Sequence, residues 1–260
     1  MTSSWSTRHQ HLLRKWTTPV LTAGACFALS SCGNGENPAQ IVAALLAKSI
    51  TLGKETNMQA PAGTSHSSSE DDKRYVVFES AEPDVVKDDT NRMTDVFVYD
   101  QQTRQTIRVS VSRTGVQANG GSFAPVVSRN GRVVAFESLA TNLVPEDTNR
   151  QRDIFVHDRE SGETTRISVN SQGAQANNFS QAARLSEDGR YVAFESLASN
   201  LVPSDTNGVI DVFVHDRQTK RTTRVSVASD GAQANSLSVN PSMSADGRQI
   251  TFESFATNLS

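Results

Sequence analysis

"FESLATNLVPEDTNRQRDIFVHD", Phe136 to Asp158, returns with few changes as "FESLASNLVPSDTNGVIDVFVHD", Phe194 to Asp216. The offset is 58 residues (194 − 136). Steps of that size reach Phe78-Glu79-Ser80 upstream and Phe252-Glu253-Ser254 downstream. A fixed period of this length marks a repeat architecture in which one supersecondary unit is stacked on copies of itself.

Four short phrases recur inside the period. "RYVVFES" (74–80), "RVVAFES" (132–138), "RYVAFES" (190–196) and "RQITFES" (248–254) are in register. So are "DVFVYD" (95–100), "DIFVHD" (153–158) and "DVFVHD" (211–216), followed by "IRVSV" (107–111), "TRISV" (165–169) and "TRVSV" (223–227). "SFAPVVS" (122–128), "SQAARLS" (180–186) and "SVNPSMS" (238–244) complete the set. Each phrase is short and rich in β-branched or aromatic residues, as strands are. The gaps carry Asn-Gly, Asp-Gly, Ser-Gly and Asp-Thr-Asn, which is turn chemistry. Four strands per period predict an all-β fold, a β-propeller of four-stranded antiparallel blades. The blades fall at about 74–121, 122–179 and 180–237, with a partial fourth at 238–260.

Seven of the eleven phenylalanines occupy two repeat positions: Phe78, Phe136, Phe194 and Phe252, then Phe97, Phe155 and Phe213. A lone four-stranded sheet cannot bury both faces, so this stripe is expected to be core between blades. The first blade lacks a convincing first strand, because "EDDKR" stands where "SEDGR" stands later. With the partial fourth blade, the reading is a truncated or open propeller whose bare edges offer self-association.

The run "S-x-D-G-R-x-V-A-F", as in Ser186 to Phe194, followed by a D-V-F-V-x-D strand, resembles the TolB-like β-propeller repeat. The resemblance covers Arg74 to Ser260. This period is longer than in TolB-like blades, with extra loop at "NLVPEDTN" and "GAQAN", and no carboxy-terminal catalytic domain follows as in propeller-bearing peptidases.

Ahead of the repeat, residues 1–31 read as a signal peptide. Arg8, Arg14 and Lys15 precede a weakly apolar run from Trp16 to Leu29, too short and interrupted to span a bilayer. Leu29-Ser30-Ser31-Cys32 resembles the bacterial lipobox, which implies cleavage before Cys32 and lipidation of its thiol. Residues 32–73 then hold the lipidated cysteine, a short helix begun by Asn37-Pro38, and a flexible linker "APAGTSHSSSEDD". Cleavage removes Cys26, so the mature chain has one cysteine and no internal disulfide. The expected location is exported and membrane-anchored, at the periplasmic side of an outer membrane or the cell surface. Without the leader the balance is 22 − 28 = −6, since 3 of the 25 basic residues and none of the 28 acidic ones precede Cys32. An acidic body without basic clusters argues against nucleic acid as a partner.

No Gly-x-Ser-x-Gly elbow, His-Glu-x-x-His pair or glycine-rich phosphate loop is present. His157 and His215 share one repeat position, filled by Tyr99 in the first blade, whereas a catalytic base is a single residue in an asymmetric pocket. The expectation is therefore a non-enzyme, a cell-envelope scaffold that binds a protein partner. Asp-x-Asn-x-x-x-Asp suggests one alternative: Asp89, Asn91 and Asp95, then Asp147, Asn149 and Asp153, then Asp205, Asn207 and Asp211. Oxygen-rich loops suit calcium and would make a calcium-stabilised surface or adhesion protein, although Asp and Asn also cap turns without metal. A second alternative is the accessory propeller of a truncated enzyme. Finally, Glu79/Arg108, Glu137/Arg166 and Glu195/Arg224 are expected to pair across neighbouring strands of one blade.

Overall fold

"DIFVHD" is apolar at every second position and apolar again between them, which a strand tolerates only when covered on both faces. The structure, a computed structural model, describes residues 74–259, and there this strand is buried along its whole length. The leader, Cys32 and the stretch to residue 73 lie outside the described residues.

Among the described residues the first blade shows three strands, β1 (Tyr75–Ser80), β2 (Asp95–Asp100) and β3 (Gln105–Arg108), in that order. The second holds β4 (Ser122–Val127), β5 (Val133–Ser138), β6 (Asp153–Asp158) and β7 (Glu163–Arg166). The third holds β8 (Ser180–Leu185), β9 (Tyr191–Ser196), β10 (Asp211–Asp216) and β11 (Arg221–Arg224). Both are antiparallel meanders, each strand paired to the next in sequence. A two-stranded unit of β12 (Ser238–Met243) and β13 (Ile250–Ser254) follows. The first strands β4, β8 and β12 lie against one another in succession, so the blades converge on their first strands as in a propeller.

Alternation within each strand sends two kinds of side chain to two faces. One face carries cross-strand phenylalanine pairs: Phe78 opposite Phe97, Phe136 opposite Phe155, Phe194 opposite Phe213. Their rings stack with centroids 5.4, 6.0 and 5.9 Å apart. The other face is aliphatic. Val77, Val96, Val98 and Val109 of the first blade pack on Phe136 and Phe155 of the second. Val133, Ala135, Ile154, Val156 and Ile167 then pack on Phe194 and Phe213 of the third. Phe136, Phe155, Phe194 and Phe213 are thus core between blades, and Phe252 packs on the third blade, whereas Phe78 and Phe97 stack on each other outside these clusters.

The opening strands β4, β8 and β12 are bulged. Residues 124 and 125 stand opposite one residue of β5, and Ala124 adopts φ 48°. Ala182 (φ 56°) and Asn240 (φ 54°) repeat the feature. A bulge frees a backbone N–H from the ladder, and a buried N–H needs an acceptor. The preceding blade supplies one: Ala124 N–H donates to Glu79 Oε2 (2.6 Å), Ala182 N–H to Glu137 Oε1 (2.8 Å) and Asn240 N–H to Glu195 Oε1 (2.6 Å). This corrects the expected strand-to-strand pairs of Glu79/Arg108, Glu137/Arg166 and Glu195/Arg224. The glutamates join blades, and the arginines turn elsewhere.

The two loops that lengthen the period meet each other. Asn119 Oδ1 accepts from Thr141 N–H (2.8 Å), while Asn142 Oδ1 accepts from Asn119 N–H (2.9 Å). Asn177 with Asn200 and Asn235 with Asn258 repeat the clasp. The glycine of S-x-D-G-R has a packing reason as well. A Cβ on Gly189 (φ 72°) would lie 2.7 Å from Val133 Cβ of the preceding blade.

Candidate functional site

The Asp-x-Asn-x-x-x-Asp loops enter the second strand of a "D-[VI]-F-V" pair, and the strand fixes the last aspartate of each. In the first loop Asp89, Asn91 and Asp95 do converge, but around an arginine. Arg108 Nη1 sits 2.9 Å from Asp89 Oδ1 and 3.3 Å from Asp95 Oδ2. Arg166 lies between Asp147 (3.1 Å) and Asp153 (3.8 Å), and Arg224 between Asp205 (3.1 Å) and Asp211 (3.5 Å). Each asparagine turns its amide nitrogen to the aspartate: Asn91 Nδ2 donates to Asp95 Oδ2 (2.7 Å) and to the Ala118 carbonyl (3.1 Å). Asn149 and Asn207 do the same with Asp153 and Ala176, and with Asp211 and Ala234. Their Oδ1 atoms accept backbone N–H groups of Met93, Gln151 and Val209. The remaining carboxylate oxygens accept from Ser110, Ser168 and Ser226, each at 2.5 Å.

That donor set does not fit calcium. The ion needs several oxygens turned inward, whereas here the asparagine oxygen serves the turn and a guanidinium holds the centre. Among the described residues no group of three or more histidine, cysteine or acidic side chains could hold a metal. What remains is a buried ion pair in three copies, with Asp95, Asp153 and Asp211 fully covered. Burial pushes the carboxyls of Asp147, Asp153 and Asp205 up from their ordinary value, against the pull of the arginine.

The opposite end of each blade carries a second repeated ion pair. Arg74 grips Asp100 with Nε (3.0 Å) and Nη2 (2.8 Å), and Arg190 grips Asp216 likewise (2.9 and 2.8 Å). Arg132 holds Asp158 the same way. The Arg190 hydrogen bonds pull the Asp216 carboxyl down to about 2.

The histidines are interior. His157 and His215 are 7% and 4% exposed, and Nδ1 of each lies 2.9 Å from the hydroxyl of Thr164 or Thr222 on the next strand. Those hydroxyls donate to the Val111 and Val169 carbonyls of the preceding blade, both at 2.5 Å. Neither imidazole is placed as a solvent-facing base.

One exposed feature was not singled out in the sequence. Leu139, Leu197 and Phe255 occupy a single repeat position directly after the "FES" phrase. Leu139 is 47% and Phe255 69% exposed, and Leu197 is half-buried. Their N–H groups bond the carbonyls of Gly121, Phe179 and Leu237, at the start of each blade's first strand. The legible signal is an apolar residue where the strand has ended and the chain has turned polar.

No protein family's sequence profile matches the chain, and no curated protein matches it. Among solved structures it is similar to the tricorn protease, at 18% identity and a TM-score of 0.39, covering 67% of this chain and 13% of that one. It is also similar to TolB from Acinetobacter baumannii, at 18% identity and a TM-score of 0.36, covering 70% of this chain and 40% of that one. The putative TolB from Agrobacterium tumefaciens gives 15% identity and a TM-score of 0.36, over 58% and 44%. The chain spans less than half the length of each of these proteins.

Proposed function

We propose that the chain is a non-enzymatic scaffold of the cell envelope, tethered through lipidated Cys32, whose blades hold a protein partner. The observation that carries this reading is the row of Leu139, Leu197 and Phe255 at one end of three successive units. The repeated aspartates, arginines, glutamates and histidines described above are engaged within or between blades, which leaves these apolar side chains as the repeated surface feature. Exposed apolar residues at corresponding positions mark contact surfaces more often than solitary ones do.

The test is site-specific crosslinking in intact envelopes, with a photoreactive side chain at residue 139 or 255, compared with one at Gly162 on the opposite turn. A partner band specific to 139 and 255 is the expected result, the band from 139 being lost on Phe255→Asp and the band from 255 on Leu139→Asp. Identical bands from all three positions, or bands that survive the substitutions, would place the binding surface elsewhere. Labelled fatty acid on the wild type and none on Cys32→Ser would establish the anchor separately.

A further inference from the structure

The blade joints carry a chemical device that the scaffold reading does not use. His157 stands on β6 beside Phe155, on the face turned to the first blade, and His215 stands on β10 beside Phe213, facing the second. From each imidazole a relay runs to the preceding blade: Nδ1–H to the threonine hydroxyl, then that hydroxyl's hydrogen to the valine carbonyl. Because the threonine hydrogen goes to the carbonyl, its oxygen must accept, which fixes the proton of the neutral imidazole on Nδ1. Nε2 is then the site left for a second proton, inside a buried joint.

The charges around each ring pull both ways: the adjacent aspartate favours the second proton and the adjacent arginine opposes it. Next to His157 are Asp158 and Arg159; Asp158 is already gripped by Arg132, the residue before β5, and Glu163 of β7 lies across from it. Arg159 reaches forward over Tyr75 of the first blade, so a fixed cation shares the joint. On β7, Arg166 is turned away to Asp147 and Asp153, and the first blade's Arg108 to Asp89 and Asp95. Around His215, Asp216 is held by Arg190, the residue before β9, and Arg217 bonds the Gly189 carbonyl, while Arg221 of β11 stands opposite Asp216 where the second blade has Glu163. Burial is the leading cause that lowers both histidines, His215 to about 4.

We propose that the first–second and second–third blade joints are acid-releasable, each opened by protonation of the histidine that anchors its histidine–threonine–carbonyl relay. Among the described residues the contact with the two-stranded unit carries no such histidine, and it serves as the internal reference. The sign follows from linkage. A base whose folded pKa is depressed leaves stability intact above its unfolded value of 6.5 and loses it as pH falls through the folded value, about 4 for His215.

Hydrogen exchange of the full chain at about pH 7 and about pH 4.5, corrected for intrinsic pH dependence, tests this. Residues 109–118 and 167–176, which hold the two acceptor carbonyls, should exchange about tenfold faster relative to 225–234 at the lower pH. His157→Asn/His215→Asn keeps a donor in place of Nδ1 and cannot titrate, so it should abolish the difference. Uniform acceleration along the chain, no acceleration, or an acid response that persists in the double variant would each overturn the proposal. If the variant does not fold, the contrast with 225–234 in the wild type decides.

Discussion

Arg166 shows how strongly one residue can be committed. Its side chain is 9% exposed and faces Asp147 and Asp153, which are 2% and 0% exposed. Taking both carboxylates out of water is costly, and the guanidinium with its hydrogen bonds offsets that cost. Truncating the arginine therefore leaves two buried charges without a counter-ion. Arg166→Met should cost about 3–5 kcal/mol, measured by urea unfolding at neutral pH. Lowering the pH should shrink the deficit, because the stranded carboxylates can then take up protons. The same geometry predicts that millimolar calcium leaves the wild-type thermal midpoint unchanged. A calcium-dependent rise would mean that the arginines yield the loops to the ion.

At the scale of the element, the bulge and the glutamate that receives it form one device. Glu137 is 5% exposed and accepts the freed Ala182 N–H, while Arg152 holds its other oxygen at 3.1 Å. Glu137→Ala leaves a backbone donor unmet at the joint and should cost about 1–3 kcal/mol. Glu253 occupies the same repeat position, but no further bulge meets it among the described residues, and Glu253→Ala should stay within about 0.5 kcal/mol. Equal costs in thermal or urea unfolding would sink the idea that the glutamate acts through the following blade. This device also marks the limit of what the sequence shows. The strands are legible because alternation and turn residues are local, and the period sets their number. Glu137 is not legible, because its partner lies 45 residues on and is a backbone group with no side-chain signature. Asp89, Asn91 and Asp95 are legible as a cluster, yet the cation they hold, Arg108, stands outside their spacing. The spacing alone therefore leaves turn and metal site both open.

For the whole molecule, the consequence of stacking is that cohesion comes in separable portions. Each blade meets its sequence neighbours, so stability is expected to behave as a sum of unit and joint contributions. The β5–β6 sheet divides two of them: Val133, Ile154 and Val156 belong to the core shared with the third blade, while Val134, Phe136 and Phe155 belong to the core shared with the first. Leu143 and Leu201 occupy one repeat position, are 2% and 1% exposed, and lie in different cores. Either one truncated to alanine should cost about 2–5 kcal/mol through lost burial and a residual cavity. If the second blade is a true partition, the double variant should equal the sum within about 0.5 kcal/mol. Exchange protection should also fall near 96–118 for Leu143→Ala and near 154–176 for Leu201→Ala, not in both regions for each. A double variant well short of the sum, or protection lost across all blades from one truncation, would show that the sheet transmits the defect and that the stack unfolds as a single unit. The acid-releasable joints require the separable case: a joint can open locally only if its neighbours hold.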